Sequence, residues 1–215
     1  MKLRKSEILS LCIAVASAII GAYFYPQLPE RIASHWNAQG VVNGYMSKFW
    51  GVFLVPMIAF ALWILFFIIP KIDPHKENIE KFRKYFDRFI ILIFLFLLYT
   101  YGLTIYWNLG NQFDFVQFLL PAFAILFYFI GDMIEKSEMN WSIGIRTPWT
   151  LSSKTVWKKT HDLGGKLFKI SAIPTLLGLL FPKVAFWLMI IPILVFTVFL
   201  FVYSFFVYKK EKLRS

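Results

Sequence analysis

Long apolar runs alternate with short polar stretches along the whole chain. Five runs, at about 7–25, 50–70, 89–107, 115–134 and 184–208, each hold roughly the 20 residues that an α-helix needs to cross a bilayer. A sixth, 167–181, is shorter and carries Lys169 and Pro174. It can be tilted, partly interfacial, or extended back through Gly164 and Gly165. The pattern predicts an all-α, polytopic membrane helix bundle of about six transmembrane helices, plus an interfacial amphipathic segment between the fourth and fifth runs.

Composition agrees. The chain is 59% hydrophobic and only 16% charged, against about 25% charged in soluble domains. No stretch between the runs is long enough for a soluble domain, so the chain divides into 1–70, two spans with an outer loop, and 71–215, a four-span region with the polar loop 135–166. The net charge of +11 would suit nucleic acid, but its distribution gives another reading. With the N-terminus inside, the inner segments hold 20 Lys and Arg and the outer ones hold three, Arg31, Lys48 and Lys183. By the positive-inside rule both termini and 135–166 are cytoplasmic, and 26–49 is outside. No direct nucleic-acid contact is called for. The start, MKLRKSE before an apolar run without a small-x-small site, reads as a retained first span. Cys12 is alone, so neither an intramolecular disulfide nor a multi-cysteine metal site can form.

The outer loop, PQLPERIASHWNAQGVVNGYMSKF, is expected to be ordered. Asn43-Gly44 is a tight-turn signal, and Trp36 and Tyr45 suit headgroup depth. His35, Trp36, Asn37 and Tyr45 are the residues that would face an extracellular ligand; capping the bundle is the equal alternative. The segment 71–88 mixes six bases with four acids and reads as a solvated extension of the third span. Asp132 and Glu135 stand at the inner end of span four and Asp114 at its outer end. There is no chain of mid-membrane carboxylates, which speaks against ion-coupled transport. His35 lies outside, His75 and His161 inside, with no H-E-x-x-H, G-x-S-x-G or P-loop. The reading is therefore not an enzyme, with no cofactor and no metal.

The most informative polar stretch is IGIRTPWTLSSKTVWKKTHDLGG, 143–165. Thr147-Pro148 makes an extended entry, and Ser152 or Ser153 suits a helix N-cap. Beyond it Lys154, Lys158 and His161 recur on one helical face, and Ser153, Trp157, Thr160 and Gly164 on another. Trp149 and Trp157 are placed in the membrane interface, with the lysines toward anionic lipid. Arg146, among apolar neighbours, should need a partner: Asp132, Glu135 or backbone carbonyls. Gly164-Gly165 ends the helix or lets it pack closely against a neighbour.

The run IGIRTPWTL followed by V-W and a Lys/His/Gly tail resembles the signature of the SdpI-type immunity protein family. The HWN-containing outer loop resembles the small domain of unknown function at the N-terminus of the same proteins. The two stand in the expected order and together cover nearly the whole sequence. The resemblance implies a membrane protein that protects a bacterium from a secreted toxic peptide. For the founding member it also implies sensing, in which a small winged-helix repressor is held at the membrane. The implied partners are thus the peptide, membrane lipids and a cytoplasmic winged-helix repressor. The inner-loop residues available to a partner, or to structure, are Arg146, Thr147, Pro148, Trp149, Lys154, Trp157, Lys158 and His161. A small peptide or lipid transporter is the alternative, and a membrane enzyme a weaker one.

Overall fold

Apolar length sets the helices and polar punctuation sets their ends. The computed structural model describes residues 3–213; Lys2 and Arg214, two of the inner charges counted above, lie outside them. In order come α1 (Lys5–Phe24), β1 (Arg31–Trp36), β2 (Val42–Ser47), α2 (Lys48–Ile72), α3 (Lys76–Lys81), α4 (Arg83–Asn108), α5 (Phe115–Lys136), α6 (Pro148–Ser152), α7 (Lys154–Leu177) and α8 (Ala185–Lys212). Among the described residues five helices, α1, α2, α4, α5 and α8, are long and apolar enough to cross a membrane. This is a multi-pass membrane protein.

The sixth apolar run is not a helix of its own. It is the second half of α7, which extends back through Gly164-Gly165 to Lys154, as one of the three sequence alternatives had it. The amphipathic stretch and the short run are therefore one continuous element. α7 lies antiparallel along α5. At one end Gln117 Nε2 donates to the Gly178 carbonyl (3.2 Å), and at the other Lys169 Nζ meets Glu135 (2.6 Å). Between these contacts lie about 27 Å of α5, at 1.5 Å per residue. The helices can approach this closely because glycine faces glycine: a Cβ on Gly131 would collide with the Gly165 carbonyl, and one on Gly165 with the Gly131 carbonyl. Lys169, partly buried at this contact, pairs with Glu135 and also lies 3.7 Å from Asp132.

Two helix sets result. α1, α2 and α4 pack around Phe82, Phe86, Ile90 and Phe94 toward the basic end. Around Ile32, Val52, Tyr101 and Ile105 they pack at the other. α5, α7 and α8 form the second set, with Leu120, Phe127 and Met189 between α5 and α8. α4 and α5 join the sets.

The segment 71–88 is less solvated than its composition suggests. Arg83 and Glu7 are both buried and 3.3 Å apart, and Arg83 Nε also donates to Asp87 (2.7 Å). At the rim of this cluster Arg4 meets Glu80 (2.6 Å). Leaving one partner of such a buried pair alone costs several kcal/mol, roughly 3–5, so the cluster ties α1 to α4.

Candidate functional site

The bundle presents two built surfaces, one at each end. The first is the outer loop, which folds as a β-hairpin. β1 and β2 are antiparallel, so the all-α expectation holds except for this small sheet. The turn is not at Asn43-Gly44, which lies within β2 where the register shifts. It is at Asn37–Gly40: the Asn37 side-chain oxygen accepts the backbone N–H groups of Gln39 and Val41 (both 3.0 Å), and Gly40 N–H reaches the Asn37 carbonyl (2.9 Å). An Asn side chain that mimics the backbone in this way closes a turn locally.

Asn108, the last residue of α4, holds the hairpin down. Its Oδ1 accepts the Ala33 N–H (2.8 Å) and its Nδ2 donates to the Ala33 carbonyl (3.0 Å). Trp36 is half-buried. It lies stacked on Phe115 (centroids 3.8 Å, 10° between planes) and edge-on to Trp107 (5.7 Å), between the ends of α4 and α5. Its Nε1–H is buried and has no partner among the described residues. Trp36, His35 and Asn37 together line one side of a cavity of about 410 Å³; Phe96, Phe123 and Phe186 line the other. Thr100 and Thr104 add hydroxyls to the wall. His35 is exposed, with Nδ1 2.5 Å from Asn43 Oδ1. Tyr45 is brought elsewhere: it is exposed on β2, 5.4 Å under the Arg31 guanidinium, and does not line the cavity.

The second surface is the signature stretch, a loop clamped by buried side chains. Asn140 is fully buried; its Oδ1 accepts the N–H groups of Ser142 and Ile143, and its Nδ2 donates to the carbonyls of Glu138 and Ile143. Asp73, from the end of α2, takes the Trp141 N–H (3.1 Å) and the Ser142 hydroxyl (2.5 Å). Thr147 and Thr150 cap each other reciprocally at the start of α6, and Thr147 Oγ1 lies 3.0 Å from Ser204 of α8. Ser153 caps α7 through the Val156 N–H. Pro148, at the first position of α6, needs no N–H there.

Two residues fall on the opposite side from the sequence expectation. Trp157 is fully buried, and its Nε1–H donates to the Ser137 carbonyl (3.0 Å). His161 is buried with it, stacked on the indole at 3.9 Å, and so leaves the Lys154–Lys158 face. Position 161 follows 158 by three and 157 by four, so helical spacing admits both faces. Docking of the loop over α7 decides between them. The imidazole is neutral, with its tautomer fixed by its partners: Nδ1–H donates to the Trp157 carbonyl (2.8 Å) and Nε2 accepts the Ile145 N–H (2.9 Å). Burial pushes its pKa down to about 4, against smaller upward pulls from the Trp157 carbonyl and Asp162. Gly144 has φ +121, and a Cβ there would strike His161 Nε2, so only glycine fits beside this ring. Lys154 and Lys158 stay exposed, the latter paired with Asp162; Trp149 packs edge-on against Phe201 and Phe205.

Arg146 finds a backbone carbonyl, that of Trp141 (2.7 Å), and not Asp132 or Glu135. Those carboxylates belong to Lys169 and Arg88.

Three matches bear on what these surfaces belong to. Residues 136–204, which contain the clamped loop, α6, α7 and much of α8, match the SdpI/YfhL protein family. Residues 12–60, which contain the hairpin, match a domain of unknown function, DUF1648. The family match thus covers about a third of the chain, and the likeness is to that segment of the family. The chain is also 26% identical to "Immunity protein SdpI" of Bacillus subtilis (strain 168) over 166 residues, 77% of each chain. No solved structure matches. Within the family segment, the residues that build the loop include Asn140, Thr150 and Ser204, which composition does not single out. Asn108 and Asp73 also build these surfaces. Their partners, Ala33 and Ser142, lie far away in sequence, so no local signal marks them.

Proposed function

We propose that this SdpI-like chain is an immunity protein that protects its cell from a secreted, membrane-active toxic peptide. The observation that carries the reading is the match over 77% of both chains to a protein named for immunity, with both signature segments forming built surfaces. In this reading the hairpin end is extracellular, as the charge bias supports, and the aromatic cavity below Trp36 takes an apolar side chain of the peptide. Its mixed lining of rings and a few polar groups suits that role. The exposed Lys154–Lys158 face at the other end is available to a cytoplasmic partner; recruitment of a repressor there is the finer part of the proposal.

Transport of a peptide or lipid is the second reading, favoured by one observation: Lys169, Glu135, Asp132 and Arg88 form a charged chain between α4, α5 and α7. Expression in a host sensitive to secreted membrane-active peptides tests the two together. Immunity predicts survival that depends on the hairpin end and persists in Lys169→Met at equal protein level. Transport predicts peptide or lipid flux in vesicles that Lys169→Met abolishes.

A further inference from the structure

Arg146 carries a charge that nothing in the fold neutralises. It is exposed, its one hydrogen bond goes to a neutral carbonyl, and among the described residues it joins no ion pair. Beside it lies a cavity of about 430 Å³ between α4, α5, α7 and α8. Its walls are apolar: Phe89, Ile134, Phe168 and Leu200 among them. Arg146, with the Thr147 backbone beside it, provides the polar edge. On the α8 side the lining residues Thr197 and Phe201 are exposed, so the cleft is reached from outside the bundle.

Depth adds an independent argument. Phe89 begins the apolar run of α4, and Ile134 ends that of α5. Both runs stop at the bundle end that carries Arg83, Lys136, Lys154 and Lys209. Arg146 therefore stands where apolar helix surface gives way to charge, the level at which lipid phosphates lie. A lone cation at that level over an apolar cleft matches an amphiphile with an anionic head and an acyl chain. A guanidinium with free N–H groups can fork onto a phosphate.

We propose that this cleft seats one anionic phospholipid, its phosphate on Arg146 and an acyl chain along Ile134, Phe168 and Leu200. The site is distinct from the hairpin cavity and does not depend on the immunity reading.

The test uses the purified full-length protein in mild detergent, titrated with phosphatidylglycerol or phosphatidylcholine and read by native mass spectrometry. The wild type is expected to retain one phosphatidylglycerol in preference to phosphatidylcholine by about tenfold, the scale of one charge-assisted contact. Arg146→Gln should erase the preference while still holding either lipid weakly. Thr197→Phe, at an exposed position that fills the cleft mouth, should lower retention of both. Inorganic phosphate at equal concentration should not displace the lipid, because it cannot use the apolar walls. Equal retention of the two lipids by the wild type, an unchanged preference in Arg146→Gln, or full retention in Thr197→Phe would each overturn the proposal. Thermal melts confirm that the variants are folded, and the Thr197→Phe arm stands if Arg146→Gln is not.

Discussion

The imidazole of His161 accepts the backbone N–H of Ile145 at 2.9 Å, sixteen residues away, and so fastens the signature loop to α7. The bond exists only while Nε2 is unprotonated. The folded pKa, about 4, lies below the ordinary 6.5. A depressed base stabilises the fold fully above pH 6.5 and loses that contribution as pH falls from 6.5 to 4. The amount at stake is on the order of 3 kcal/mol. Melting temperature in detergent should therefore fall over this window. In His161→Gln, which keeps an acceptor but cannot titrate, the part of the slope due to this group should vanish. An unchanged slope would mean that His161 is not held as described.

Asn108 should be worth two hydrogen bonds to the hairpin, about 2 kcal/mol together. Asn108→Ala is expected to speed amide exchange at Ala33 and protease cleavage near Asn37, while the helices keep their protection. Equal exchange in variant and wild type would show that the hairpin is held by other contacts.

The Gly131–Gly165 crossing predicts an asymmetry of cost. Gly131→Ala drives a methyl into the Gly165 carbonyl and the Lys169 backbone, which cannot move without shifting α7. Gly102→Ala, where a Cβ meets nothing, should be neutral or slightly stabilising. The expected gap is about 2 kcal/mol or more, in the range for overpacking, measured by unfolding in mixed micelles.

Much of this was legible in the sequence, and the failures have physical causes. Twenty-residue apolar runs mark helices whatever their neighbours, so α1, α2, α4, α5 and α8 could be read directly. α7 was open to three readings, because polar residues such as Thr160, His161, Ser171 and Thr175 are buried against its neighbours while most of its lysines stay exposed. Lys169 looks like a flaw in a membrane span until Glu135, on another helix, is seen beside it. The hairpin was missed because its strands have six residues each and its turn is closed by the Asn37 side chain, while the stronger signal, Asn43-Gly44, lies within β2. Trp157 was read as an interfacial anchor; a Trp flanked by lysines suits a membrane surface and a covered helix equally, and only the loop over α7 distinguishes them. The Arg83–Glu7 pair spans 76 residues, beyond the reach of any local pattern.

The charge bias predicts an orientation that can be measured. In a Cys12→Ala background, Gln39→Cys should react with an impermeant thiol reagent in intact cells, and Lys154→Cys should react only after permeabilisation. Both positions are exposed. The reverse pattern would invert the assignment of the two faces.

The central claim is that protection resides at the hairpin end and any partner recruitment at the other. Growth of a sensitive host in the presence of secreted membrane-active peptides, with variants at matched protein levels, addresses it most directly. Trp36→Ala removes the stacked wall of the outer cavity and should abolish most of the resistance that the wild type confers. Lys154→Ala/Lys158→Ala removes exposed charge and little packing, and should leave resistance largely intact. Loss of resistance in the lysine double variant as complete as in Trp36→Ala would contradict the account and place the inner surface within the protective machinery.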